Sequence, residues 1–213
     1  MRLMMINLIP HIIEGKINLR VLARNCGLDI DMLKEVLSYL ESKNIAEIDE
    51  DSVYFKKGAK ILTAVSTVKM GSSVNEVSKV INWKDFEEFT CFILSNNGYS
   101  VHQNFRLRHP RREIDILAIK DEKGLAIDCK HRYSTMGVSN ISKVANAQIE
   151  RVNELIKSEV KRRLNVSCVI PLIVTLYNEQ IFFMNKVPII PIDKFPHFLY
   201  ELDGLLDMIL IIK

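Results

Sequence analysis

The apolar positions of this chain change period along its length. From Leu3 to Glu14, and again from Asn18 to Leu28, they recur at helical spacing, with Leu19, Leu22 and Ala23 on one face and Gly27 as a C-terminal cap. A longer helix to Ser42 follows, capped by Asp29 or Asp31 and carrying Leu33, Val36, Leu37 and Leu40 on one side. Ile45 to Phe55 alternates around the acidic turn Asp49-Glu50-Asp51, which is the pattern of a hairpin. Over residues 58–80 the stripe Ile61, Leu62, Val65 and Val68 predicts a helix ending near Gly71, and Ser72 or Ser73 starts another. A helix from about Trp83 to Asn96 is expected to bury Trp83, Phe86, Phe89, Thr90 and Ile93.

Beyond Asn96 the period shortens to two. Tyr99 to Leu107 reads as a strand, and Ile114–Lys120 and Leu125–Lys130 as two more, joined by the turn residues Asp121 to Gly124. Ser139 to about Arg163 returns to helical spacing, with Ile141, Val144, Ala145, Val152, Leu155 and Ile156 inward. Val166 to Tyr177 is apolar throughout and predicts a buried central strand, with another from Gln180 to Met184. Pro188 and Pro191 confine the next extended segment to a sheet edge or a loop, because proline donates nothing to a ladder. A short helix to Leu202 and an apolar end, Leu205 to Ile212, close the chain. The pattern predicts a small helical domain with a hairpin over residues 1–57, a helical connector over 58–80, and an α/β sandwich around a mixed sheet over 81–213. The connector's stripe is expected to hold the two domains in a fixed arrangement.

Composition narrows the class. With 48% apolar and 26% charged residues the chain is globular, not disordered. A net charge of +3 neither demands nor excludes nucleic acid. Cys26, Cys91, Cys129 and Cys168 are scattered without a Cys-x-x-Cys pair, so they read as reduced thiols of a cytoplasmic protein, not as a zinc site or disulfide framework. The apolar start, Met1 to Pro10, is short and lacks a cleavage pattern, and no run approaches a membrane span.

The chemistry gathers in the stretch from Glu113 to Lys130. Strand side chains alternate faces, so Asp128 and Lys130 point one way and Leu125, Ile127 and Cys129 the other. A two-residue loop sets Asp115 across from Asp128, and a four-residue loop sets it across from Lys130; both leave the three residues on one face. Two close carboxylates repel unless a cation lies between them, and a hard divalent ion, Mg²⁺ or Mn²⁺, resolves this. Lys130 would orient a water or stabilise charge developing on phosphorus. The alternative for the same residues is a salt bridge between Lys130 and one aspartate within the sheet. Just before Asp115, the run Arg106-Leu-Arg-His-Pro-Arg-Arg112 holds four arginines and no acid. Arg106, Arg108, Arg111 and Arg112 suit bidentate phosphate contact, and His131 and Arg132 extend the same basic edge.

Asp115 followed by Asp128-Cys129-Lys130 in a hairpin resembles the PD-(D/E)xK nuclease superfamily, although Ile114 stands where the family name has proline. The segment Trp83 to Val101 resembles the opening helix and first strand of Mrr-like restriction endonucleases and archaeal-type Holliday junction resolvases. Lys130 to Thr135 followed by a helix resembles the Mrr-type continuation, and the likeness covers about residues 81–185. It implies a restriction-endonuclease-like α/β sandwich and Mg²⁺- or Mn²⁺-dependent hydrolysis of DNA. It also implies a glutamate from the first helix in the metal shell: Glu87, eleven positions before Gly98, with Glu88 as second choice. Asp115, Asp128 and Lys130 would be catalytic, the Cys129 carbonyl a further metal ligand, and Gln148 a contact to water or a base; a hydrogen bond to backbone is the alternative, and the favoured one, for Gln148.

Helix, helix, turn, helix and hairpin over residues 1–57 resemble a winged helix-turn-helix. Eight Lys/Arg against nine Asp/Glu give that segment a net charge of −1, which supplies few phosphate contacts. Protein contact, such as homodimerisation, is therefore weighed at least equally with DNA reading. Three other functions compete with a DNA nuclease: a transcription factor with a degenerate nuclease fold, an assembly protein, and an RNA-processing nuclease.

Overall fold

The computed structural model describes residues 1–108, 111–132 and 134–213. The chain divides into two compact units, Met1–Asp85 and Phe86–Lys213. The residues read above as a connector, 58–80, fall inside the first unit.

The first unit contains α1 (Arg2–Leu8), β1 (Gly15–Asn18), α2 (Leu19–Cys26), α3 (Ile30–Ser42), β2 (Ala46–Ile48), β3 (Ser52–Phe55), α4 (Ala59–Lys69) and α5 (Val74–Lys79). The helix expected to reach Glu14 tightens at Ile9–His11 into a 3₁₀ turn around Pro10, which cannot donate the helical hydrogen bond. Asn18 caps α2 by accepting from the N–H groups of Arg20 and Val21, and Gly27 ends it at φ 64°. Of the two candidate caps for α3, Asp29 accepts from Met32 N–H at 2.8 Å. Ser73 starts α5 in a reciprocal capping box with Glu76. The three strands pair antiparallel in the order β1-β3-β2, and β1 had no signal in the periodicity. Met5, Leu8, Leu22, Leu33, Leu37 and Phe55 form the core.

Two expected stripes are shifted. On α4 the buried positions are Ala59, Ile61, Thr63, Ala64 and Thr67, while Leu62 is exposed. Thr67 tolerates burial because its hydroxyl donates to the Thr63 carbonyl at 2.7 Å. Trp83, the first residue of α6 (Trp83–Asn96), is 57% exposed, and Phe86 and Phe89 bury that helix instead.

The second unit is a six-stranded mixed sheet with helices, the α/β architecture expected. Its strands are β4 (Ser100–Leu107), β5 (Arg112–Lys120), β6 (Lys123–Lys130), β7 (Cys168–Thr175), β8 (Phe183–Met184) and β9 (Val187–Pro191), in the order β4-β5-β6-β7-β9-β8. β4, β5 and β6 are antiparallel neighbours, whereas β6, β7 and β9 run parallel. A parallel neighbour needs a crossover, and α7 (Val138–Lys157) with α8 (Val160–Arg163) supplies it. Leu117 and Ala126 of the sheet pack with Val152 and Leu155 of α7. The helix α9 (Phe195–Glu201) follows β9. No helix among the described residues is long and apolar enough to cross a membrane.

Despite its prolines, β9 lies inside the sheet, between β7 and β8, and not at the edge or in the loop expected for it. Ile189 donates to Phe182 on the β8 side and Ile192 to Thr175 on the β7 side, so donor direction alternates with residue number. Pro188 faces β7 before their first pair, Ile173↔Ile189, and Pro191 faces β8 beyond that two-residue strand. Each proline therefore sits where the ladder has no use for an N–H group.

The β5–β6 loop has two residues, Asp121 and Glu122, both left-handed at φ 49° and 59°. That is the mirror-image turn whose twist matches a tight hairpin. Gly124 belongs to the strand. A Cβ there would lie 3.0 Å from Val169 Cγ2 and 3.3 Å from Val166 Cγ1, so the missing side chain lets β6 and β7 close up. Gly124→Ala should destabilise the protein by about 1–3 kcal/mol through overpacking. Urea unfolding would show this as a lower midpoint at unchanged slope, and an unchanged midpoint would contradict the packing argument.

Candidate active site

The two-residue turn fixes the register of the hairpin. Leu117 pairs with Ala126 and Ile116 with Ile127, so the next position sets Asp115 opposite Asp128. The ladder stops there because the Asp115 side chain takes over: Oδ2 accepts from the Cys129 N–H at 2.8 Å. On the β4 side, Gln103↔Ile116 and Phe105↔Ile114 pair around Asn104, which faces Asp115 at φ 52°. Asparagine tolerates this left-handed conformation better than most residues, and the disturbed strand opens the backbone beside the carboxylate.

Asp128 is 2% exposed. Its Oδ2 forms an ion pair with Lys130 Nζ, so the salt bridge considered from sequence is present. Its Oδ1 accepts from Arg151 Nη1 at 2.9 Å. The same Nη1 donates to Gln148 Oε1 at 2.8 Å, and Gln148 Nε2 donates to the Ala126 carbonyl at 2.7 Å. Lys130 approaches Oδ2 outside hydrogen-bonding geometry, which leaves that buried oxygen with charge attraction but no hydrogen bond. Burial, and then the charge of Asp128, raise the pKa of Asp115; the Cys129 N–H, Lys130 and Arg151 pull it back in part.

Glu87 on α6 is buried, while Glu88 is exposed. Burial raises the Glu87 carboxyl first and Asp115 adds to it; a hydrogen bond with Gln103 opposes both. Burial raises the Cys129 thiol well above its ordinary range, and the nearby Asp115 and Glu87 carboxylates add to the rise. Among the described residues no three His, Cys, Asp or Glu side chains stand close enough to enclose an ion. What the site offers is two carboxylates on adjacent strands, one with a buried oxygen lacking a hydrogen bond. That donor set fits Mg²⁺, which is commonly held by one or two carboxylates and keeps several waters.

The basic residues divide by environment. Arg106 pairs with Glu113 at 3.0 Å on the surface. Arg108, Arg111, Arg112 and Arg132 are exposed, and His131 is partly buried with its ring 5.2 Å from Phe86. His109, Pro110 and Tyr133 lie outside the described residues. Of the two readings of Gln148 the backbone contact is present: the side chain is fully buried, donates to the Ala126 carbonyl and accepts from Arg151. Arg151 was missed in the sequence. The available signal was a polar residue one turn after Gln148, on the side of α7 that also carries Ala145 and Val152.

The two aspartates should respond oppositely to mutation. Asp115 binds its proton more tightly folded than unfolded, so its ionised form opposes folding, and that penalty fades as pH falls through the folded pKa. Asp115→Asn should therefore be more stable than wild type at pH 7, by a margin that shrinks on acidification. From repulsion alone, removing Asp128 would be expected to stabilise or leave unchanged the metal-free protein. Its ion pairs reverse that expectation: Asp128→Ala leaves Lys130 and Arg151 without their partner and should destabilise by about 2–4 kcal/mol. Urea titrations at pH 5 and pH 7 would check both signs.

Residues 78–158 match the model of the restriction endonuclease family Mrr_cat. No curated protein matches the sequence. The chain is similar to the crystal structure of protein VC1899 from Vibrio cholerae at 13% identity and a TM-score of 0.43, over 97% of this chain and 51% of that one. It thus spans about half the length of that structure. The matched family segment runs from before α6 to the end of α7 and contains Glu87, Asp115, Asp128, Lys130 and Arg151. The match over residues 78–158 to the Mrr_cat restriction endonuclease family is consistent with a PD-(D/E)xK, Mrr-like nuclease.

Proposed function

We propose that this chain hydrolyses phosphodiester bonds in DNA with Mg²⁺ or Mn²⁺ bound at Asp115 and Asp128. The observation that carries the reading is the pairing of these carboxylates across one hairpin, with the buried Asp128 Oδ2 free of hydrogen bonds and Lys130 beside it. A bound divalent ion would supply a more acidic water and polarise the scissile phosphate. Asp115, held through Oδ2 by the Cys129 N–H, keeps its other oxygen for the ion in this reading. Lys130, already at that point, orients the attacking water or donates to a phosphate oxygen as negative charge builds. Glu87 adds a further acidic group at the α6 side and raises the attraction for a cation. Arg108, Arg111 and Arg112, exposed where the chain enters β5, grip the backbone phosphates.

Helices α1, α2 and α3 and the β1-β3-β2 sheet of the first unit follow a winged-helix plan in this reading. Net acidity over residues 1–57 favours protein contact for it, including a second copy of the chain. One observation supports a non-catalytic reading of the second unit: Lys130 and Arg151 already compensate Asp128.

Incubating the protein with plasmid, linear duplex, single-stranded DNA and RNA, with Mg²⁺ or Mn²⁺, separates these readings. Cleavage of DNA is expected, with Asp115→Ala, Asp128→Ala and Lys130→Ala each slower by about 10²-fold or more. Replacing Arg111 and Arg112 by alanine should weaken DNA binding and flatten its salt dependence by about two units of slope. Binding without cleavage under either metal would favour the non-catalytic reading. Cleavage undiminished in the aspartate variants would refute this site.

A further inference from the structure

Each aspartate of the hairpin has one oxygen fixed by the protein. For Asp115 it is Oδ2, on the Cys129 N–H at 2.8 Å. For Asp128 it is Oδ1, on Arg151 Nη1 at 2.9 Å. Arg151 is itself held. The two hydrogens of Nη1 serve Asp128 Oδ1 and Gln148 Oε1, and the Gln148 amide is tied to the Ala126 carbonyl. Ala126 and Asp128 share one face of β6, and Gln148 and Arg151 lie one turn apart on α7. The hydrogen bonds therefore close a loop from strand to helix and back to the strand, ending on a carboxylate that is 2% exposed.

We propose that Arg151 is a positioning residue, seated by Gln148, that fixes Asp128 through Oδ1 so that Oδ2 is the oxygen offered to a divalent cation. This rests on the nuclease reading above and adds to it a residue outside the Asp–Asp–Lys motif. A carboxylate held at both oxygens by mobile partners would have no preferred donor atom. Here the asymmetry is built in, because Oδ1 has a directional hydrogen bond from an anchored guanidinium and Oδ2 has only the charge of Lys130, a flexible ammonium that can move aside. Outer partners that orient metal ligands are worth about 10–100-fold in metal affinity.

The rival role for Arg151 is that of a plain counter-charge, and the two roles predict opposite signs. Removing a nearby positive charge strengthens cation binding, whereas removing the group that orients the ligand weakens it. Mn²⁺ alone, titrated calorimetrically into full-length wild type, Arg151→Met and Arg151→Lys, distinguishes them. Arg151→Met should bind Mn²⁺ about tenfold or more weakly, and Arg151→Lys should recover most of the loss. Arg151→Met binding as tightly as wild type, or more tightly, overturns the proposal. If Arg151→Met does not fold, Arg151→Lys decides: affinity between wild type and Asp128→Ala supports positioning, and affinity above wild type overturns it. A crystal structure of metal-free Arg151→Met gives a readout independent of the ion. An unmoved Asp128 carboxylate overturns the proposal. A displaced one upholds positioning even if wild type binds no Mn²⁺, in which case the nuclease reading alone falls.

Discussion

A carboxylate buried in a sheet must be met by opposite charge or hydrogen bonds, and Asp128 is met by both. Lys130 comes from two residues further along the same strand, which needs only the alternation of β structure. Arg151 comes from α7, so its contact exists only when the crossover helix lies on the face of β6 that carries Asp128. Burying an ion outside such a cluster costs several kcal/mol, which makes the docking of α7 and the ionic centre mutually dependent. The parallel pairing of β6 and β7 follows from the same crossover, and Gly124 allows the two strands to approach at the far end of β6 from the site.

Around this centre the structure accepts unfavourable local terms. Asp115, half-buried, and Glu87, buried, are acids whose charges oppose one another and Asp128. Asn104 holds a left-handed backbone beside Asp115, and the ladder is interrupted on both sides of that aspartate. Well-packed elements surround these features: Leu117, Ala126, Val152 and Leu155 on the α7 side, and Phe86, Phe89 and Ile93 along α6. Concentrated strain and like charge within a rigid frame suit a site that presents carboxylates to a ligand.

The first unit follows a different balance. Three of its helices are closed by side-chain caps at Asn18, Asp29 and Ser73, and its core is mainly apolar, with the small hydroxyl residues Thr63, Thr67 and Ser78 buried beside it. Its charges are on the surface, where exposed pairs such as Lys16–Asp49 contribute little to stability. Its fold therefore rests on burial and capping.

Period and capping chemistry were legible in the sequence because they are properties of consecutive residues. They determined the mixed α/β class, the hairpin, the shared face of Asp115, Asp128 and Lys130, and the starts of α2 and α3. The Asp-x-Lys motif after a hairpin likewise led to the restriction endonuclease family. The loop length was open between two and four residues, because Asp121 and Glu122 carry no glycine or asparagine to mark a mirror-image turn. Arg151 and Gln148 take their meaning from β6, a partner some twenty residues away, and helical spacing cannot say which strand a face will meet. The interior position of β9 and the exposure of Trp83 were likewise decided by neighbours: a proline is harmless where the adjacent strand has ended, and an apolar side chain is buried only where another element covers it. What consecutive residues share is written in the chain, and what distant residues share is settled by how the sheet and α7 come together.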